Sequence, residues 1–222
     1  MKTIAADSGH AIIRGRAARL DIANLDTDQI MPKQFLRGID KAGLDQGVLY
    51  DLRFDAQGQR RPEFVLNRPA FAGVDVLLAG DNYGCGSSRE HAVWGMQQFG
   101  FKAVVAASFG EIFYSNAMNN RLLLAMVAPA DALAFHAQAR EQEELGLPLA
   151  MEIDVGTQQV RCAGHSAAFA ISPRHQRMFL QAQDLIAASM AHAPQIAAFA
   201  QQHWQRQPWL RDVAATVRAG LD

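Results

Sequence analysis

The stretch VDVLLAGDNYGCGSSREHAVWGMQQFGFKAVVAASFGEIFYSNAMNNRLLLAMV (74–127) decides the fold class. VDVLLAG (74–80) is a short apolar run that breaks at a Gly-rich loop. Beyond the loop, apolar residues fall at helical spacing (Ala92, Val93, Met96, Phe99) until Gly100 stops them. KAVVAAS (102–108) reads as a second buried strand, FGEIFYSNAMNN (109–120) as a second helix and LLLAMV (122–127) as a third strand. Strand, helix, strand, helix, strand predicts a parallel sheet with crossover helices.

On the N-terminal side, AIIRGRAARLDI (11–22) mixes β-branched with basic residues and predicts a strand or hairpin. NLDTDQIMP (24–32) is rich in turn and cap formers and closes on a proline. KQFLRGIDKAG (33–43) predicts a short helix, and residues 45–68 an irregular surface loop of functional length. On the C-terminal side, ADALAFHAQAREQEEL (130–145) predicts an amphipathic helix. MEIDV (151–155), QQVRC (158–162) and AAFAI (167–171) predict three short antiparallel strands. From Pro173 the Ala- and Gln-rich chain predicts two or three helices, broken at Pro194 and Pro208.

Composition narrows the function classes. Half of the residues are hydrophobic and 19% are charged, with a net charge of -1, so there is no basic stripe for a nucleic-acid backbone. No apolar run reaches the roughly 18–20 residues of a membrane span. Met1–Arg16 has no apolar leader centre, so the expected compartment is the cytoplasm. Cys85 and Cys162 are too few for a disulfide framework or for the usual ligand set of a structural zinc or iron–sulfur site, and the seven histidines form no HxH or HExxH pair. The expectation is that this chain binds no metal of its own.

Chemistry concentrates in GDNYGCGSSREHA (80–92). Glycines 84 and 86 permit a sharp turn and close approach of a ligand to the backbone. Ser87 and Glu90 have the S-x-x-E spacing of a capping box, which would start a helix whose N-terminal amides attract an anion. Arg89 adds a planar fork suited to a carboxylate. The plainer alternative is a loop that caps a helix and does nothing else. The loop lacks the GK[ST] of a phosphate-binding P-loop and the G-x-S-x-G of a nucleophile elbow. Cys85 has no assignable histidine partner and reads as a small buried residue.

YGCGSSREHA (83–92) closely resembles the F/Y-G-C-G-S-S-R-E-H-A signature of the aconitase-superfamily swivelling domain, as found in isopropylmalate dehydratase small subunits. NLDTDQIMPKQFL (24–36) and SFGEIFYSNAMNN (108–120) resemble two further motifs of that family, in the same order and spacing. The resemblance implies an α/β fold: an aconitase-like swivelling β/β/α domain over 1–171, with parallel central strands and crossover helices. A helical extension, 172–222, would follow, packed on the domain or on a partner. It implies a hydro-lyase that isomerises a 2-substituted malate, most simply 2-isopropylmalate to 3-isopropylmalate in leucine biosynthesis, and is active only with a large partner subunit carrying a [4Fe–4S] cluster. By the same resemblance Ser87 is the base, Ser88 orients the site, and Arg89 and Arg37 bind substrate carboxylates. Asp28 either takes part in proton handling or serves as an Asx-turn cap. His91 reads as a packing residue, and Asn116, Asn119 and Asn120 as ties for backbone.

The sequence departs from the family at Ser172, Ala182 and Leu52, where relatives carry aspartate, glycine and tryptophan. These departures keep the reaction class and leave other 2-substituted malates open, among them 2-methylmalate (through citraconate) and dimethylmaleate. A non-catalytic anion-binding module is the reading from a different class.

Overall fold

The computed structural model describes residues 6–7, 10–36 and 42–220. Eight strands and nine α-helices are formed among the described residues. In chain order they are β1 (Ala6–Asp7), β2 (His10–Leu20), α1 (Thr27–Ile30), α2 (Tyr50–Arg53), β3 (Val76–Ala79), α3 (Glu90–Phe99), β4 (Ala103–Ala106), α4 (Glu111–Asn119), β5 (Leu123–Met126) and α5 (Pro129–Glu144). There follow β6 (Leu149–Asp154), β7 (Gln159–Cys162), β8 (His165–Ala168), α6 (Pro173–Leu180), α7 (Leu185–Met190), α8 (Ala193–Arg206) and α9 (Val213–Ala219).

The sheet order is β5-β4-β3-β2-β6-β7-β8, with β1 paired to the start of β2. Strands β2 to β5 run parallel, and β6, β7 and β8 continue antiparallel from the other edge of β2. Burial along β2 follows its neighbours. Ala11 and Ile13 are buried while Arg14 and Arg16 face out, in the stretch that precedes the pairing with β3 and meets β6 and, at its start, β1. Ala17, Ala18 and Leu20 are all buried where β3 lies alongside. A sheet covered on both faces needs continuous apolar runs, whereas one open face gives alternation. The parallel strands β3 and β4 are buried at every position. Helix α5 is tied to the end of β3 by buried His136, whose Nε2 donates to the Ala79 carbonyl at 3.1 Å.

The strand–helix alternation and the antiparallel arm form as the pattern predicts. Residues 45–68 do not form the irregular loop expected of them. Helix α2 and short 3-10 turns at Leu44–Gly47 and Val65–Asn67 pack Leu44, Val48, Leu49, Val65 and Leu66 into the core. Turns of three or four residues carry no readable periodicity, so only their burial reveals them. The helix expected over 33–43 begins as a single 3-10 turn, Lys33–Phe35; residues 37–41, Arg37 among them, lie outside the described residues.

By internal contact the chain divides into residues 1–182 and 183–222. The sequence reading starts the helical extension at 172, whereas α6 belongs to the first unit and buries Met178 and Phe179. Its cap, Ser172, accepts from the His175 amide, the task that aspartate performs equally well at this position. Ala182 takes the left-handed turn, with φ 52, that glycine adopts freely. In the second unit α7, α8 and α9 bury no residue, and Phe199 and Trp209 are among the exposed apolar side chains. The break expected at Pro194 falls just before it: α7 ends at Met190, and Pro194 stands in the first turn of α8, where a missing amide costs nothing.

Candidate active site

Three chain segments leave the carboxyl ends of adjacent parallel strands: 24–28 beyond β2, 80–89 after β3 and 108–110 after β4. In parallel sheets this end is where ligands bind. The loops prolong the parallel pairing past the strands themselves. Gly84 N–H donates to the Leu25 carbonyl (2.8 Å) and Thr27 N–H to the Cys85 carbonyl (2.9 Å). On the other side Gly110 N–H donates to the Tyr83 carbonyl (2.9 Å), and the Ser108 hydroxyl accepts from Asn82 N–H (2.8 Å). The three sequence motifs are therefore three neighbouring loops of one site.

Gly84 makes this packing possible. It sits at φ 76, and a Cβ there would overlap the ring of Phe113, which stands edge-on to buried Tyr83. The loop then carries Ser87 and Ser88 to the surface, both exposed.

Around the Ser87 hydroxyl the partners come from α1. Thr27 Oγ1 lies 3.1 Å from Ser87 Oγ, accepts from Ser87 N–H at 3.1 Å and reaches the Ser87 carbonyl at 3.0 Å. Asp28 Oδ1 is 3.4 Å from Ser87 Oγ, which can donate to it. Arg89 closes the group through an ion pair of its guanidinium with Asp28 Oδ1, and Lys33 Nζ lies 3.7 Å from Asp28 Oδ2. Charge at the site is thus one carboxylate between two cations, beside a hydroxyl with a donor on one side and an acceptor on the other.

Two local expectations change. Ser87 and Glu90 form no capping box: α3 starts at Glu90, its N-cap is Arg89, and no side chain caps it. The capping box of this region belongs to α1, where Asp26 accepts from Gln29 N–H and the Gln29 side chain accepts from Asp26 N–H. With Asp26 as the cap, the Asp28 carboxylate is left to face Ser87 and Arg89. Ser88 makes neither a cap nor a contact with Thr27 or Asp28 among the hydrogen bonds of the loop.

The remaining named residues are structural in their contacts. The His91 ring packs 4.9 Å from Trp94. Asn120 gathers the first helix of the site: its amide donates to Glu90 Oε1 at 2.8 Å, its Oδ1 accepts from Trp94 at 3.0 Å, and its carbonyl accepts from Gln97 at 2.7 Å. Asn119 Oδ1 accepts from Arg174 at 3.1 Å. The Cys85 thiol donates to the Asn24 carbonyl, so the residue is half-buried and engaged. Cys162 donates to Gln138, and burial pushes its thiol up to about 11, away from nucleophilic use. Among the described residues no set of three or more His, Cys, Asp and Glu side chains is placed to hold a metal ion. Leu52 packs on the core; its neighbours Tyr50, Arg53 and Phe54 line a hollow of about 400 Å³ together with Phe35 and Phe99.

Beside Lys33, Thr27 is a residue of the candidate site that sequence reasoning missed. It stands inside the quoted motif, but a threonine between two aspartates in a turn signals only turn chemistry, and its burial to 1% exposure becomes visible only in the fold.

Comparison with known proteins shows the family. The aconitase C-terminal domain family matches residues 9–129. The 3-isopropylmalate dehydratase small subunit 1 of Chromobacterium violaceum is 55% identical over 96% of this chain and 98% of its own length. The 3-isopropylmalate dehydratase small subunit of Caulobacter vibrioides is 42% identical over 88% and 95%. The crystal structure of 3-isopropylmalate dehydratase from Methanocaldococcus jannaschii superposes with a TM-score of 0.57 at 28% identity, over 84% of this chain and 98% of that one. With its motif loops gathered behind the parallel strands and its relatives matched along nearly their whole length, the chain belongs to the 3-isopropylmalate dehydratase small-subunit family, which carries the aconitase C-terminal domain.

Proposed function

We propose that the chain is the small subunit of a cytoplasmic hydro-lyase that isomerises 2-isopropylmalate to 3-isopropylmalate by removing and re-adding water, with Ser87 as the base. The observation that carries the reading is the meeting of Ser87, Asp28 and Arg89 at the carboxyl ends of β2 and β3. Names of relatives spread over several bacteria favour isopropylmalate over the other 2-substituted malates. The intact Ser87–Asp28–Arg89 group speaks against a module that merely holds an anion.

A free hydroxyl is a very weak acid, so Ser87 needs help to take a proton from carbon. Asp28 provides an acceptor: as the substrate C–H proton moves to Ser87 Oγ, the proton already on Oγ passes to Asp28. No free alkoxide persists: as Asp28 takes up the proton, its negative charge passes with the C–H electron pair to the substrate and on to the departing hydroxide, while Arg89 and Lys33 hold the Asp28 carboxylate in the resting site. Arg89 has further N–H groups beyond the one facing Asp28, and these hold a substrate carboxylate in the plane of the guanidinium. The [4Fe–4S] cluster of this family supplies a Lewis acid for the substrate hydroxyl and a carboxylate. We place its ligands on the large subunit, since Cys85 and Cys162 are each bonded elsewhere and form no ligand set.

Two results test this reading. The chain purified alone should have no hydratase activity and should gain it on co-expression with an iron–sulfur large subunit; turnover by the isolated chain would end the proposal. Arg89→Lys replaces a fork with a point charge. We expect KM to rise and kcat to fall together, about tenfold or more each, with assembly unchanged. Removing one charge-assisted hydrogen bond is worth about 1.5–3 kcal/mol, which is that order in rate. Steady-state kinetics of the assembled variant give the answer, and wild-type values would remove Arg89 from the site.

A further inference from the structure

We propose that Thr27 is a positioning residue for Ser87, and that its hydroxyl proton changes acceptor within each turnover. The inference rests on the reading of Ser87 as the base. It begins from an arithmetic of hydrogen bonds. A threonine hydroxyl has one proton and two lone pairs. The Ser87 amide, 3.1 Å away, occupies one lone pair of Thr27 Oγ1. Two acceptors then lie within reach of the single proton: the Ser87 carbonyl at 3.0 Å and the Ser87 hydroxyl oxygen at 3.1 Å. Only one can be served at a time.

Thr27 cannot drift away from this choice. It is buried, its own amide donates to the Cys85 carbonyl at 2.9 Å, and its carbonyl accepts from Met31 N–H at 3.0 Å in the turn of α1. Moving the proton from one acceptor to the other requires rotation of the hydroxyl hydrogen alone, with no heavy atom displaced. The ground state of the serine favours the carbonyl, because the Ser87 hydroxyl is itself a donor, directed at Asp28.

Charge decides when the proton moves. A hydrogen bond to an ionised acceptor is about twice as strong as one between neutral groups. When the Ser87 proton shifts toward Asp28, negative charge grows on Oγ, and the Thr27 hydroxyl turns to it. When the substrate proton arrives on Oγ, the charge is quenched and Thr27 returns to the carbonyl. The balance is simple. The substrate C–H bond breaks and a Ser87 O–H bond forms, the earlier Ser87 O–H bond breaks and an Asp28 O–H bond forms. The C–H electron pair becomes the new double bond while the neighbouring C–O bond breaks and its electron pair leaves with the hydroxide, and Thr27 keeps its proton throughout. Throughout the cycle the Ser87 amide remains bonded to Thr27, so the serine is held while its charge changes.

The test uses the enzyme assembled with its large subunit. Thr27→Val keeps the shape and removes the hydroxyl, Thr27→Ser keeps the hydroxyl, and each is also combined with Ser87→Ala. For Thr27→Val we expect kcat to fall about 10²–10³-fold, as when one donor to a developing oxyanion is removed, with KM changed less than about threefold. Thr27→Ser should recover kcat to within about fivefold. In the Ser87→Ala background Thr27→Val should cost nothing more. As a readout apart from turnover, Thr27→Val should bind the large subunit with unchanged affinity in a calorimetric titration. Near-normal kcat in Thr27→Val overturns the proposal. So does a loss that Thr27→Ser fails to recover, or one that adds to that of Ser87→Ala, which is the mark of a loop tie alone. If instead Ser87→Ala keeps its turnover, the reading of the base has failed, and that outcome is visible without any Thr27 variant.

Discussion

Ser87→Ala is expected to reduce turnover of the assembled enzyme by at least about 10²–10⁴-fold, the usual loss when a general base is removed, while KM, partner affinity and cluster content stay near their normal values. Ser87 is exposed and tethered through its backbone amide and carbonyl to Thr27, so losing the hydroxyl leaves the loop in place. Arg89 and Asp28 remain paired, and on the proposed reading the substrate carboxylate keeps its fork. Ser88→Ala is the control. Its side chain is exposed and caps no helix, so its effect on melting temperature should be small and its effect on kcat far milder. A near-normal kcat for Ser87→Ala beside a dead Ser88→Ala would exchange the two assignments; activity in both would move the base elsewhere.

The second large effect is on stability. Gly84→Ala should destabilise the folded chain by about 2–5 kcal/mol. A left-handed backbone costs an L-residue roughly 1–2 kcal/mol, and forcing a methyl into a filled core adds about 1–3 kcal/mol. Both apply here, because φ is 76 and the new Cβ would overlap the Phe113 ring. At roughly 2–4 °C per kcal/mol for a chain of this size, the melting temperature should fall by about 4–20 °C. Gly164→Ala separates the two causes: φ is 80 there, but nothing lies within 4 Å of its Cβ, so only the backbone cost remains. Thermal unfolding of the three isolated chains settles the point. Equal melting temperatures for the two variants would show that Phe113 yields without strain.

The sequence announced the sheet because its apolar period switches between strand runs and helical spacing within 54 residues, and each switch is marked by glycine or polar loop residues. The site was legible as three motifs, but their meeting was not. Adjacency of residues 24–28 to 80–89 depends on β2 pairing with β3 across more than fifty intervening positions. The spacing of Ser87 and Glu90 predicts a capping box that the fold instead forms at Asp26 and Gln29. Local spacing cannot tell a serine that caps its own helix from one whose hydroxyl is claimed by Thr27 and Asp28 of a distant helix. The segment 45–68 escaped for a different reason. Arg53 is buried with its guanidinium over Phe54 and Phe99, and a buried arginine in a polar stretch looks like surface until its aromatic neighbours are known.

Strand β2 is paired on one edge to residues 76–79 and on the other to residues 149–154. On a ribosome adding about 5–20 residues per second, its outer partner emerges on the order of ten seconds after β2 itself. Throughout that interval the nascent sheet carries an open edge at Ile13 and Ala17, the very positions that β6 later covers. Such edges recruit other strands. Arg14 and Arg16 point away from the buried face of this edge and keep like chains apart through charge, so the two arginines protect the chain's synthesis.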